Sequence, residues 1–571
     1  LQGSWSFGPF RLTPDVRLLR GQHTVPLAPK QLALLRVLLE SGGRVVSKRE
    51  ILERVWPEAP VSEASLTSCV HGLREALGDR RRRGRYVETV HGRGYRFSAE
   101  VERPAPSTAS ERRSRIAIAP LEEDLASPAY LLQGFAAEVT SHLGRWHPAG
   151  IDPIAYGSVA RLWGLPGDGR VSRQLDLDFV LAGRLRSGDR ELRVRADLVR
   201  MRDGVVVWSG EFASAPEGRA LLAGEVAEAI AKRLIELRGG EFAPEPIPVV
   251  TRDPRSHRAW LRGNFLNQLR TETGLRRSIR CFEQALAWDP SCTAAHVALA
   301  EAYLNLGWRG YAAPGEIGPP ARAAAQRAMQ SDGSHVGALS MLAFLRMFLD
   351  WDVEGARDAL SAAAHEPGDD DRNAWHRSMV ELALGRFDAA VERTEAALEM
   401  DPLSPNLAIA RITALWWADR LEEALSSTRS LVDSEPEFAA AHAVRASVAG
   451  ALGRSAEALR AASVGDTLAR GDQLARSGCA AVFARSGEPG RARSILTALE
   501  RRARSRYVSP TFVAIIHAAL GDDQAALAWL ARARELRCMW LPMLGVDPRL
   551  QHLRGDPRLR DLECTPVQNG A

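Results

Sequence analysis

Lysine is almost absent from this chain: Lys30, Lys48 and Lys232 are its only three, against 72 arginines. None follows a glycine, so the Gly-Lys-Ser/Thr step by which a P-loop cradles phosphates cannot be drawn. A G-x-S-x-G elbow for a nucleophilic serine and an H-E-x-x-H helix for zinc are absent as well. Cys69, Cys281, Cys292, Cys479, Cys538 and Cys564 form no C-x-x-C pair, which favours reduced, buried thiols over a zinc ribbon or a redox site. The acidic run Asp369, Asp370, Asp371 follows Pro367 and Gly368 and reads as a solvated loop. The chemistry that remains belongs to arginine. Arg80 to Arg83 and Arg85 crowd together, and Arg93 stands between Gly92 and Gly94. Guanidinium groups at that density suit phosphate oxygens, which they grip with paired N–H donors.

The charge is placed to match. Residues 1–100 hold 17 Lys and Arg against 10 Asp and Glu, an excess of +7 in a chain whose total is +5, so the rest carries −2. A positive field confined to one end is the footprint of a domain that meets a polyanion, the alternative being a solvated surface bias. At 571 residues and about 150 per domain, several units in series are expected. Hydrophobic residues at 45% and charged ones at 25% are ordinary globular values. No apolar run is long enough for a membrane span and no charged-then-apolar leader is visible, so a cytoplasmic chain without membrane contact is expected.

The elements that must position these arginines follow from local signals. Short alternating segments around Phe7–Leu12 and Val16–Arg20 predict strands. Pro29 then opens a helix carrying Leu32, Leu35 and Leu39 and ending at Gly42 and Gly43. Ser47 and Glu50 form an S-x-x-E capping box for a second helix, closed by Pro57 and Pro60. A third helix, Ser62–Leu77, separates its faces: Leu66, Val70, Leu73 and Leu77 form an apolar stripe, and Ala64, Ser68, His71 and Glu75 point away from it. A helix whose outer face is small and polar enters a major groove without steric conflict. Gly78 and Asp79 stop it before the basic loop. YVETVHGRGYRF then alternates as two strands around Gly92-Arg93-Gly94, a hairpin with a cation at its tip.

FGPFRL, VVSKREILERVWP, VSEASLTSCVHGLREALGD and YVETVHGRGYRF, in this order, resemble the OmpR/PhoB-type winged-helix DNA-binding domain over residues 3–98. The resemblance implies double-stranded promoter DNA as partner. By position it places Trp56, Ser65, Arg74, Thr89 and Tyr95 at phosphates, Ser68 and Gly72 near base edges, and the wing turn with His91 and Arg93 at the minor groove. His71 joins this set from the outer face of the third helix. Gly72 stands where some members carry a base-reading arginine, and His91 where a wing arginine is common, so the operator sequence is not read from the resemblance.

ERPAPSTASERRSR, rich in Pro, Ser and Arg, marks residues 101–114 as a tether. Residues 115–240 then mix types: a strand in RIAIAP, a helix from about Tyr130 to Gly144, a strand near Ile151 and a short helix. Three strands follow, joined at Ser187-Gly188-Asp189 and Asp203-Gly204. This α+β segment resembles the TolB-N-like domain, most clearly over Phe179–Glu211. That family implies no catalytic group, and no converging His, Cys or carboxylate set is found, so a structural or relaying role is expected.

The strongest internal signal is a repeat. Ala356, Ala390, Ala424, Ala458, Ala492 and Ala526 recur every 34 residues, with Gly385, Asp419, Gly453, Gly487 and Gly521 holding the same period five residues earlier. Pro290, Pro367, Pro402 and Pro436 mark repeat ends. A small residue lets two helices approach, a glycine turns the chain between them and a proline ends the second, which are the demands of a helix-turn-helix solenoid. Residues 253–562, after a short linker at 241–252, are thereby similar to tetratricopeptide repeats. About eight fit, the first two irregular around GWRGYAAPGEIGPP. Such an array is expected to bind a protein or peptide along its concave face. Nine of the fourteen tryptophans lie in it, Trp260, Trp351, Trp375, Trp416, Trp417 and Trp529 among them, with helix packing as their ordinary use.

Together these readings describe a multidomain chain of winged helix, α+β middle domain and all-α solenoid. The expected function is that of a one-component transcriptional regulator that is not an enzyme and needs no cofactor or metal. RNA polymerase and a second copy of the chain are further partners compatible with it. With no phospho-receiver domain ahead of the winged helix, control by occupancy or oligomerisation of the repeats is expected. The alternative is a repeat-based scaffold that the winged helix tethers to DNA.

Overall fold

The computed structural model describes the chain except residues 1–4, 9, 13–17, 21–22, 26, 42, 56–62, 80–85, 91–92, 100–112, 124–127, 164–174, 189–190, 216–217, 245–246, 365–370, 470 and 563–571. Two compact units emerge, Leu1–Arg112 and Arg113–Ala571. Trp56, His91, Gly92, the arginines at 80–85, most of the tether and the segment from Pro367 to Asp370 fall outside the described residues.

The first unit opens with an antiparallel four-stranded meander, β1 (Trp5–Phe7), β2 (Phe10–Leu12), β3 (Leu18–Arg20) and β4 (His23–Thr24). Three helices follow, α1 (Pro29–Glu40), α2 (Lys48–Val55) and α3 (Glu63–Ala76), then the hairpin β5 (Val87–Val90) and β6 (Gly94–Phe97). Proline stands at the start of α1, as expected. Ser47 caps α2, its Oγ accepting from the Glu50 N–H at 3.1 Å. The other half of the predicted capping box does not form. The Glu50 carboxylate instead takes two N–H bonds from Arg44, at 2.7 and 3.0 Å, because a charge-assisted pair outcompetes a neutral backbone donor. Leu66, Val70, Leu73 and Leu77 are all buried, and the edge-on ring pair Phe7–Phe97, 5.0 Å apart, ties meander to hairpin.

The second unit begins with a six-stranded mixed sheet in the order β12-β11-β10-β7-β9, with β8 (Glu122–Glu123) paired beside β10. β7 (Ser114–Ile118), β9 (Ile151–Ile154) and β10 (Phe179–Ser187) run parallel, while β11 (Leu192–Arg200) and β12 (Val205–Ser214) extend the sheet antiparallel. α4 (Ala129–Leu143) and the short α5 (Tyr156–Leu162) fill the crossovers as predicted. The strand pattern does not announce α6 (Arg219–Leu237), which packs beside α4 and buries Leu222, Val226, Ile230 and Leu234 in the main core of this domain. Apolar residues four apart on one helix face were the available signal.

Eight helix pairs then follow: α7/α8 (Pro254–Asn267, Glu272–Trp288), α9/α10 (Thr293–Trp308, Pro314–Ser331), α11/α12 (Val336–Leu345, Val353–Ala364), α13/α14 (Asp371–Ala383, Phe387–Met400), α15/α16 (Pro405–Trp417, Leu421–Ser434), α17/α18 (Ala439–Ala451, Ser455–Ala469), α19/α20 (Gln473–Arg485, Pro489–Ala503) and α21/α22 (Pro510–Ala519, Asp523–Glu535). They form a solenoid with the predicted register. All six period-34 alanines are fully buried, and Gly385, Asp419, Gly453, Gly487 and Gly521 all adopt left-handed φ between 62° and 96° at the turns. Trp351, at φ 60°, holds the same turn position five residues before Ala356, which glycine spacing alone could not reveal. A short one-turn helix, α23 (Pro557–Arg560), ends the described chain.

The α/β domain is seated on the solenoid. His257 at the start of α7 pairs with Glu138 of α4 at 2.7 Å, both buried. A second clip lies between α14 and α15: the Ser158 hydroxyl bonds the Asp401 carboxylate and accepts from the Leu403 N–H at 2.8 Å, while the Ala155 N–H donates to the Met400 carbonyl at 2.8 Å. Among the described residues no helix is long and apolar enough to cross a membrane.

Candidate nucleic-acid interface

The stripe that seats α3 on α1 and α2 leaves its opposite face outward. Ser65, Thr67, Ser68, His71 and Glu75 are exposed there. Ser65 and Ser68, with Cys69, also border an open depression against Ala28, Lys30 and Gln31 at the start of α1. Gln31 holds that corner: its Oε1 accepts from the Ala28 N–H at 2.9 Å. Its amide nitrogen lies directly over Gly72, where an added Cβ would come within 2.2 Å of it. Gly72 is therefore the point at which α3 closes on the cap of α1.

The wing is locked to α3 by two residues. Asp79, buried just after the helix, accepts from the backbone N–H groups of Tyr86 at 2.9 Å and Val87 at 3.1 Å through one carboxylate oxygen. Arg74 reaches the same strand, donating from Nε and Nη2 to the Val87 carbonyl at 3.0 and 2.8 Å and from Nη2 to Thr89 Oγ1 at 2.9 Å. Two of its three guanidinium nitrogens are thus engaged inside the unit. The sequence marks Asp79 only as a helix stop. An acidic side chain placed to receive the first N–H groups of the next strand leaves no spacing signature.

At the tip, Arg93 is exposed and its N–H closes the turn on the Val90 carbonyl at 3.0 Å. Gly94, at φ 142°, would put a Cβ 2.0 Å from the Val46 carbonyl oxygen, so the crossing of wing and α2 entry requires glycine there. Tyr95 is buried beside it, its backbone bridged to Val46 in both directions at 2.8 and 3.0 Å. Arg96 spends its charge across the hairpin on Glu88, at 2.6 Å. The expected set is thereby sorted by surroundings. Ser65, Ser68, His71, Thr89 and Arg93 face outward, Gly72, Arg74 and Tyr95 fasten the elements, and Trp56 and His91 are outside the described residues. Among the described residues no group of three or more His, Cys, Asp or Glu side chains is arranged to hold a metal.

Residues 21–97 match the family model "Transcriptional regulatory protein, C terminal". Over 415 residues, 72% of each protein, the chain is 26% identical to "Transcriptional regulator HilA" of Salmonella typhi. It is 35% identical over 102 residues to "Response regulator protein PmrA" of Pseudomonas aeruginosa, which covers 17% of this chain and 42% of that one. Among solved structures, the DNA-binding domain of E. coli CadC matches at 27% identity with a TM-score of 0.17, covering 18% of this chain and 97% of that one. The N-terminal unit is a winged-helix DNA-binding domain of the OmpR/PhoB type, and the chain that carries it is a transcriptional regulator.

Proposed function

We propose that this regulator is of the one-component kind, with residues 1–100 binding promoter duplex and the unit Arg113–Ala571 sensing or recruiting a partner. The observation that carries the reading is the outer face of α3, whose Ser65, Ser68 and His71 are small or polar and exposed, beside a wing whose tip bears an outward cation in Arg93. In this reading α3 lies in the major groove, where Ser68 and His71 meet base edges and Ser65 meets a phosphate. Thr89 and Arg93 follow the backbone and minor groove, joined by Trp56 and His91, while Gly72, Arg74 and Tyr95 set the height of helix and wing. The +7 excess of residues 1–100 supports it, since neutralised phosphates release counterions. The chain would act in the cytoplasm, with RNA polymerase and a second copy of itself as further partners. A partner that binds two states of the second unit unequally would shift the DNA-competent population by that difference.

Footprinting of the full chain on promoter fragments, repeated across a salt series, tests this. Protection of discrete sites is expected, with the logarithm of affinity falling linearly with the logarithm of salt. Absence of protection on every fragment, or affinity indifferent to salt, overturns it.

A further inference from the structure

The inner face of the solenoid is already occupied. After α22 no further hairpin forms among the described residues. Residues 538–562 run as turns, two short 3-10 segments, Leu541–Met543 and Pro548–Leu553, and the one-turn α23, yet Met539, Trp540, Leu541, Leu544, Leu550 and Leu553 are all buried. Their partners are far apart along the array. The Trp540 ring lies 4.2 Å from that of Trp308 at the end of α9 and 5.5 Å from Phe512 of α21, and its Nε1 donates to the Trp308 carbonyl at 2.8 Å. Arg549 stands over the Trp416 ring of α15 at 6.0 Å. Arg537, just before the segment, donates to the carbonyls of Leu349 and Asp350 at 3.3 and 3.2 Å and covers Trp351 at 4.6 Å.

Trp308, Phe512 and Trp416 sit on first helices of their pairs, and Leu349, Asp350 and Trp351 close the first helix of another. One short segment, together with the arginine just before it, can touch first helices from four pairs only if those helices curve around it. The array also closes across the gap. Gln473 Nε2 at the head of α19 donates to the Gly310 carbonyl at 2.7 Å, and Arg309 pairs with Asp472 at 3.3 Å. At the entry, the hydroxyls of Ser509 and Thr511 converge on the Cys538 thiol at 3.2 and 3.3 Å.

We propose that the inner face of the repeat array is a peptide-binding surface whose ligand is the chain's own residues 538–562, an apolar segment anchored by Trp540. The chain carries the occupant of its own groove. An external peptide of the same chemistry reaches that face only when the segment leaves it, so the resting array is closed to such partners. This stands on the array alone and is independent of DNA binding.

The test uses the full chain with a protease site inserted between the exposed Leu536 and Arg537, cleaved and then sized. The C-terminal fragment is expected to stay with the body, and in a Trp540→Ala version to be retained at least about tenfold less firmly, given what truncating a buried tryptophan removes. A labelled peptide of residues 538–562 should not bind the uncleaved chain. Loss of the unmutated fragment from a body that stays folded, equal retention with Trp540→Ala, or peptide binding to the intact chain would each overturn the proposal. Should the insertion prevent folding, tryptic cleavage at Arg549 and Arg554 is compared in intact wild-type and Trp540→Ala chains. Cleavage at least about tenfold faster in the variant supports the anchor, and equal rates overturn it.

Discussion

Arg74 and Arg93 carry the same charge in the same unit and differ in what surrounds them. Arg93 is exposed at the wing tip, so Arg93→Ala should weaken binding to many duplexes alike and lower the salt slope by about one, with the melting of residues 1–112 unchanged. Arg74 is bonded to Val87 and Thr89. Arg74→Ala should therefore also lower the melting temperature of that unit, since a charged hydrogen bond to a wing strand contributes about 1.5–3 kcal/mol. Calorimetry beside a binding assay separates the two, and identical behaviour would refute the distinction. Ser68→Ala and His71→Ala should instead change which sequences are preferred in a site-selection assay, because base contacts specify where phosphate contacts only position. The cysteines supply a residue-scale check on the array. Burial pushes the Cys479 thiol up to about 12 and the Cys292 thiol up to about 11, against about 8.5 in an unfolded chain. Their neutral form is favoured in the fold, so the stabilisation is complete below about pH 8.5 and is lost as pH rises through the folded values. Alkylation at pH 8 followed by mass spectrometry should leave both thiols unmodified until denaturant is added.

At the scale of elements, the array keeps its period because each pair buries apolar surface only against its neighbours. Ala424 is fully buried where α15 and α16 meet their neighbours. Ala424→Trp should force packed helices apart at an overpacking cost of roughly 1–3 kcal/mol, opening adjacent pairs to limited proteolysis while residues 1–112 keep their fold and DNA affinity. Continued protection of the repeats would mean that the alanine register has been misplaced. The same elements show where pattern reading stops. The alanines and glycines were legible because close approach and left-handed turns restrict residue type. Trp351 does the work of a turn glycine with a bulky side chain, under the guanidinium of Arg537, and no local rule would place it there. The capping box at Ser47 was half legible for a related reason: the N-cap is set by local geometry, whereas the Glu50 carboxylate chose an arginine that the fold brought within reach.

At the scale of the whole molecule, two compact units predict two calorimetric transitions. Asp401 is buried and bonded to Ser158 across the seat between the α/β domain and the solenoid. Asp401→Ala should lower the transition of the second unit, by about 1–3 kcal/mol for the polar groups left without their partner, and leave that of the first in place. A shift in both transitions, or in neither, would contradict this. By itself the sequence determined what neighbours along the chain can determine: the stripe of α3, the hairpin around Arg93, the three long strands of the middle domain, the period of 34 residues and the charge excess at one end. Each is a spacing rule acting over a few residues or a repeat of one, and the restriction on residue type is visible in the letters. Only the tertiary structure decided that Arg74 fastens the wing, that Gly72 yields its space to Gln31, that Ser158 meets Asp401 and that residues 538–562 fill the array. Those contacts join residues from 13 to 243 positions apart, and a single sequence contains no spacing from which such partners could be chosen. They are selected when burial brings together the polar and apolar groups that must satisfy one another away from water.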